Sequence, residues 1–283
     1  MLKQYLIVGI LLTFQVLAFS QLQYSNDYVE VMQLDEKVYL LKENYKFTAN
    51  SLAISGEKEL LLIDTGFREI ARDFFDAVSY LGKEVAVIVN SHGHHDHVGA
   101  NTLFGNDVRI VGHEECKEQF TRGGQKVDTF QDEFHFDFSG HQVNCIAFPG
   151  GHSECDILIH IPDLKLAYLG DMYLCESFPL VIIDAGSSVQ TLVTNLKQIY
   201  GMLPADTRVF PGHGKETDME YMGEYIGMLD TTIGLVREEM TKGTKLQKIK
   251  DDDLLTDWGE WGRFFPFITK ESWIEQIYLS YSQ

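Results

Sequence analysis

Residues 91–97 read Ser-His-Gly-His-His-Asp-His, which places four imidazoles and a carboxylate within six positions. Crowding such groups without a cation costs hydration while they are neutral and repulsion once they are protonated. Imidazole and carboxylate are good donors to zinc, iron and manganese. The spacing His92-x-His94-x-Asp96-His97 has metal-site logic, because a turn after a strand can aim alternate side chains at one point and the next pair at a second. Each ion needs further donors, and the sequence offers them at three other places. Pro149-Gly-Gly-His152, Leu169-Gly-Asp171 and Pro211-Gly-His213-Gly each follow an apolar stretch and set glycine beside a polar residue. Glycine permits positive φ and close backbone approach, as convergence on an ion requires. Asp64, in Leu-Ile-Asp-Thr-Gly66, has the same placement.

These residues need rigid elements to aim them, and the hydrophobic pattern supplies candidates. Short apolar bursts at 38–41, 51–55 and 60–64 predict strands joined by hairpins. Phe74, Val78 and Leu81 share one helical face over 68–81, with Gly82 as a stop. A strand over 85–90, a short helix over 99–104, a strand over 108–112 and a helical stretch over 114–120 continue the alternation. Period two returns over 129–148, and 157–161 and 166–170 flank Pro162-Asp163 as a hairpin, so a second sheet is expected. Ser187-x-x-Gln190 and Thr217-x-x-Glu220 have capping-box form and predict two helix starts, with a strand over 207–210 between them. A last helix is predicted over 270–281. No solenoid period and no long Pro/Gly linker interrupts the chain. One domain over 21–283, with two mixed sheets inside helices and a C-terminal helical extension, is the economical reading.

With those placements, Asp64, His92-x-His94-x-Asp96-His97, His152, Asp171 and His213 together resemble the five-motif signature of the metallo-β-lactamase-fold superfamily, over about residues 35–220. The resemblance implies an α/β fold, an αββα sandwich with a dinuclear site at one edge of the sheets. It implies His92, His94 and His152 on one metal, Asp96, His97 and His213 on the other, and Asp171 bridging them. Two zinc ions are the expected cofactors, with iron or manganese accepted by the same donors. Asp64 is implied to orient the ligand loop from behind. A water between two such ions loses its proton near neutral pH and becomes a nucleophile. Asp96, where one of its oxygens is free of metal, is the candidate to relay a proton to the leaving group.

The rest of the sequence narrows the function. With 45% hydrophobic and 23% charged residues, the 283-residue chain has the balance of a folded protein. Its net charge of −19 disfavours nucleic acid and anionic membrane surfaces as partners. Residues 1–20, with Lys3, an apolar run and Ala18-Phe19-Ser20, read as a cleaved secretory signal, so the mature protein is expected to be periplasmic or secreted, with no stable membrane insertion. Cys116, Cys145, Cys155 and Cys175 allow two disulfides in three pairings, or free thiols. His95 is expected to point away from the metals, and His113, His135, His141 and His160 to be structural. Cys155 and Cys175 are not expected as ligands. The aromatics of loop 172–188 and of the tail (Trp258, Trp261, Phe264, Phe265, Phe267, Trp273) suit either a pocket wall or helix packing.

Within the resembling superfamily, diiron oxygen reductases carry a glutamate where this chain has His94, and nucleases need a basic groove. Glyoxalase-type thioesterases work mainly inside cells. Dedicated β-lactamases generally lack the bridging aspartate. The expectation is therefore an exported binuclear zinc hydrolase that cleaves a carbonyl bond (lactam, lactone or ester) of a small molecule. The alternative is a mononuclear iron persulfide dioxygenase using His92, His152 and Asp171.

Overall fold

A computed structural model of the chain describes residues 20–120 and 125–282. The secretory signal read over 1–20 lies, apart from Ser20, outside the described residues. Eight strands form the first sheet in chain order: β1 (Gln21–Ser25), β2 (Val29–Gln33), β3 (Val38–Tyr45), β4 (Phe47–Ser55), β5 (Glu59–Ile63), β6 (Glu84–Val89), β7 (Arg109–His113) and β8 (Lys126–Phe130). Neighbours are antiparallel up to β5 and parallel from β5 to β8. The second sheet holds β9 (Glu133–Phe138), β10 (His141–Ala147), β11 (Ile157–Ile161), β12 (Leu166–Tyr168), β13 (Arg208–Phe210) and β14 (Thr217–Asp218). In it only β12 and β13 are parallel. The helices are α1 (Ala71–Tyr80), α2 (Lys117–Phe120), α3 (Val189–Met202), α4 (Met219–Thr241), α5 (Leu246–Asp251) and α6 (Lys270–Ser282).

The side-chain alternation of β5 shows how the layers arise. Leu61 and Ile63 face the core between the sheets, while Leu60 and Leu62 face the layer containing Phe74 and Val78 of α1. A strand buried on both faces reads as a continuous apolar run, as Leu-Leu-Leu-Ile does. Leu52, Val87 and Val89 meet Val143, Ile159 and Phe210 across the inter-sheet core. On the far side, α3, α4 and α6 cover the second sheet with Leu192, Leu196, Leu229 and Trp273. The result is the expected αββα sandwich. No helix of the described residues is long and apolar enough to cross a membrane.

Several boundaries depart from the sequence reading, each for a local reason. The period-two stretch read over 129–148 straddles both sheets, since Thr129 and Phe130 still belong to β8, which pairs with β7, and the second sheet begins at β9. The short helix read over 99–104 starts at Asn101, because Gly99 is held against the backbone of Gly66, to whose carbonyl its N–H donates at 2.8 Å. Both capping positions sit one residue later than read. Ser188 caps α3 by accepting from Thr191 N, and Asp218 caps α4 by accepting from Tyr221 N. Ser187 instead donates to the carbonyl of His152, and Thr217 is committed to β14 and to the Tyr173 hydroxyl.

Of the three cysteine pairings left open, a disulfide joins Cys116 and Cys155, and Cys145 and Cys175 are buried free thiols. The bridge links the segment after β7 to the loop before β11, across a separation of 39 residues. It also backs the histidine loop, because a Cβ on Gly93 would lie 2.6 Å from the Cys116 sulfur. Cross-linking a loop of this length removes unfolded-state entropy worth about 4 kcal/mol. The Cys116→Ser/Cys155→Ser double variant is expected to lose about 2–4 kcal/mol in urea titration. An unchanged midpoint would show that the bridge contributes nothing to stability.

Candidate metal centre

Strands β5, β6, β10, β12 and β13 all end at the same edge of the sandwich, and the polar residues sit just beyond those ends: Asp64, the 91–97 loop, His152, Asp171 and His213. Ligand sites in sheets with parallel strands favour the carboxyl ends, where loops are free to converge. Backbone bonds hold the two sheets in register here. Asn50 N donates to Gly212 O at 2.9 Å, and Ile157 N donates to Ser91 O at 3.0 Å. The Asn50 amide also donates to Pro211 O and Gly214 O, at 3.0 and 2.9 Å, clamping the turn that carries His213. Gly212 has to be glycine, since a Cβ there would lie 2.0 Å from Asp171 Oδ1.

All seven residues expected to bind metal come together. His94 Nδ1 lies 3.1 Å from His92 Nε2 and 2.9 Å from His152 Nε2. His213 Nε2 lies 3.5 Å from Asp96 Oδ2, and His97 Nε2 lies 3.9 Å from the same oxygen. Asp171 stands between the groups: Oδ2 is 3.6 Å from His152 Nε2 and 3.2 Å from His213 Nε2, and Oδ1 is 3.3 Å from His97 Nε2. The donor atoms of His92, His94, His152 and Asp171 form one metal-sized cluster, and those of Asp96, His97 and His213 a second.

Hydrogen bonds behind the rings decide which nitrogen faces inward. His152 Nδ1 is 2.8 Å from the Leu180 carbonyl, His213 Nδ1 is bonded to the Thr48 carbonyl, and His97 Nδ1 is 2.8 Å from Asp64 Oδ2. Those oxygens only accept, so each Nδ1 carries the proton. His92 Nδ1 faces Ser91 Oγ, whose own proton is directed to Asp64. In the neutral ring each Nε2 is then left with its lone pair turned to the centre, the second-sphere arrangement of metal-binding histidines. His97 Nε2 and Asp171 Oδ1 are buried and make no hydrogen bond, although they face each other. Buried polar atoms without partners are costly. A cation at each cluster satisfies them, so the residues present fit two metal ions.

Charge follows the same division. Burial, then the neighbouring His97, pushes His92 well below the ordinary imidazole pKa, and burial followed by His152 pushes His94 down to about 4. Burial opposes protonation of His97, but Asp171, Asp96 and Asp64 outweigh it and raise its pKa well above 6.5. His213 is raised in the same way, burial being outweighed by Asp171. Burial works against the charge on Asp171, yet His213 and His97 hold its carboxyl well below the usual carboxylate range.

The remaining histidines and cysteines lie apart. His95 projects outward with its side chain 64% exposed. His113 bonds to Gln131 O, His135 to Asn144 and Glu133, and His141 to Asp163. His160 belongs to β11. Cys155 is consumed by the disulfide, and Cys175 packs against Gly214.

Sequence reasoning missed several supporting groups. Tyr168 donates to Asp64 at 2.9 Å, Asn50 clamps the His213 turn, and Asp156 accepts from His152 N and Ser153 N at 2.8 Å each. Glu43 is fully buried, accepts from Phe67 N at 2.9 Å, and is pushed up to about 8, mainly by burial. The available signal was a polar residue inside an apolar strand, as Asn50 is within β4.

The family model described as the Metallo-beta-lactamase superfamily matches residues 45–213, more than half of the chain. The chain belongs to the metallo-beta-lactamase superfamily. Among curated proteins it is similar to the hydroxyacylglutathione hydrolase of Rhizobium meliloti (strain 1021), with 29% identity over 150 residues, 50% of this chain and 53% of the relative. The hydroxyacylglutathione hydrolase of Synechococcus sp. (strain JA-3-3Ab) is 27% identical over 145 residues, 51% of this chain and 55% of the relative. The chain thus spans about half the length of the curated relatives it matches. The solved metallo-beta-lactamase from Pontibacter korlensis superposes with a TM-score of 0.59 at 21% identity, covering 71% of this chain and 99% of that one. The metallo-beta-lactamase from Erythrobacter litoralis does so with a TM-score of 0.60 at 16% identity, covering 74% and 99%. These structures share the fold.

Two outcomes follow from the geometry. Asp64→Asn leaves one acceptor oxygen for Ser91, Tyr168 and His97 and points an N–H₂ group at donors. It is expected to cost more than about 2 kcal/mol in urea titration, since each stranded donor costs about 1–3 kcal/mol; a loss below about 0.5 kcal/mol would contradict the anchoring role. Because His97 and His213 are raised in the metal-free chain, zinc has to displace protons there, so affinity falls as pH falls. Calorimetry at pH 7 in buffers of different ionisation heat is expected to show proton release. Identical heats would contradict the charge assignment.

Proposed function

We propose that the protein is an exported hydrolase that uses two divalent ions, zinc in the first instance, to cleave a carbonyl bond of a small molecule. The observation that carries this reading is the convergence of seven donors whose four outer Nδ1–H groups are each tied to an acceptor, leaving lone pairs turned to two adjacent points. When bound, such ions lower the pKa of water toward neutrality and polarise the oxygen under attack. The chain's own contribution is positional and acid–base. Asp96 is buried in the cleft wall, with Oδ2 turned to His213 and His97 and Oδ1 3.8 Å from the exposed His95. It therefore keeps one oxygen away from the second cluster, available to take a proton and pass it to the leaving group.

The bond class is a lactam, lactone or ester, and the names of the curated relatives extend it to thioesters. Export is supported by the composition of residues 1–20 and by the Cys116–Cys155 disulfide, a bond that persists in oxidising compartments. Outside the cell a glutathione thioester is scarce, which favours other acyl compounds.

The test is metal analysis of protein purified without added metal, coupled to turnover of nitrocefin, lactones, aryl esters, thioesters and phosphodiesters. Two zinc ions per chain with cleavage of a carbonyl substrate is the expected result. One iron per chain, no hydrolysis and oxygen uptake with a persulfide would replace the reading with the dioxygenase alternative. His94→Ala is expected to lower metal content and hydrolysis together, and unchanged stoichiometry would remove His94 from the ligand set. Asp171→Asn is expected to reduce two-metal occupancy more than folding, and full occupancy would remove its bridging role.

A further inference from the structure

The metal-binding edge opens into a cleft of about 230 Å³ whose wall changes character away from the ligands. Beside His94, Asp96, His152, Asp171 and His213, with the exposed His95 at its rim, the lining is Phe47, Leu174, Leu180, Phe265, Phe267 and Ile268. No lysine or arginine lines it among the described residues. Lys46, next to Phe47 in the chain, is engaged with Glu69 at 2.7 Å, and Lys215 is paired with Glu176. Arg68 lines a second cleft, of about 150 Å³, that shares only His94 and His95 with the first.

Half of the apolar wall comes from residues 265–268, beyond residue 213, where the superfamily match ends. The 3₁₀ stretch Thr256–Gly262 leads into this segment and α6 follows it. Phe265 is buried and meets the His213 ring edge-on at 5.2 Å, while Phe47 meets the same ring at 5.4 Å. Phe267 packs on Phe265 at 5.4 Å and on Phe47 at 5.9 Å, yet is 48% exposed. An exposed phenylalanine at the mouth of a reactive cleft contributes little to the core and gains most by covering a bound apolar group.

Resting on the hydrolase reading above, we infer that the cleft selects a substrate whose non-reacting part is an uncharged apolar group, and that Phe267 is a specificity-determining residue contributed by the C-terminal segment. A carboxylate placed against Phe267 and Ile268, on the side of the cleft away from the ligand side chains, would be desolvated with no lysine or arginine beside it, which disfavours it. An alkyl or aryl group gains by leaving water, at about a fourfold preference per methylene buried.

The experiment compares 4-nitrophenyl acetate, butanoate and hexanoate with the 4-nitrophenyl monoester of adipic acid, on the metal-loaded protein and on Phe267→Ala. Wild type is expected to gain about fourfold in kcat/KM per methylene, mostly through KM, and to disfavour the adipate ester at least about tenfold relative to hexanoate. Phe267→Ala is expected to lower the hexanoate value about tenfold more than the acetate value, with metal content and melting temperature retained. A flat or falling chain-length series, or preference for the adipate ester, would overturn the inference. If no ester is cleaved, the hydrolase reading fails for this bond class, and calorimetric binding of neutral 4-phenylbutan-1-ol then tests the wall by itself. About tenfold weaker binding to Phe267→Ala supports the inference, and equal affinity overturns it.

Discussion

The structure turns on one buried carboxylate. Asp64, fully buried at the end of β5 and held in the left-handed region at φ 60°, accepts from Ser91 N and Ser91 Oγ at 2.7 Å, from His97 Nδ1 at 2.8 Å and from Tyr168 Oη at 2.9 Å. Ser91 and His97 open and close the ligand loop of the first sheet, whereas Tyr168 belongs to β12 of the second. One side chain thus fixes the loop's path, the tautomer of His97 at the centre and the spacing of the two sheets. A buried charge is tolerated only when fully hydrogen-bonded, and Asp64 meets that condition. Aspartate is also among the few residues that enter the left-handed region at small cost.

From that anchor the electrostatics of the centre follow. His92 and His94 are driven toward neutrality by burial and by one another, and His97 and His213 toward protonation by the carboxylates around them. Without a cation the second cluster favours protonated rings, and the first sets lone pairs against each other. A cation at each cluster, as proposed above, would relieve both conditions. The disulfide at the back of Gly93 and the Asn50 clamp on the His213 turn stiffen the same edge from outside, so the donors are placed before any ion arrives.

Much of this was legible in the sequence because the chemistry-bearing residues are short-range patterns. Four of the seven donors lie in one hexapeptide, and the other three sit beside glycines after apolar stretches, so order and spacing alone pointed to them. The central strands β5, β6 and β7 of the first sheet were readable because burial makes them short apolar runs, whereas the edge strand β1, largely exposed, carried no such signal. What escaped were contacts made across long separations. Tyr168 reaches Asp64 over 104 residues and Asn50 reaches Gly214 over 164, and nothing local marks either pair. The disulfide was undetermined for the same reason. The two helix caps were misplaced by one residue because Ser187 and Thr217 are claimed by tertiary partners, His152 and Tyr173, that outcompete a local cap. The aromatic tail divided: Trp273 is buried, stacked on Phe178 and bonded to Thr232, while Phe265 and Phe267 face the cleft.

Side chains beyond four strand ends, those of β6, β10, β12 and β13, are proposed to hold two ions at separate, adjacent points. Anomalous diffraction at the zinc edge, from crystals of protein purified without added metal and then loaded with zinc, tests it most directly. Two peaks per chain are expected, one among His92, His94 and His152 and one among Asp96, His97 and His213, with Asp171 between them and no sulfur ligand. A single peak, or a peak beside Cys175, would contradict it.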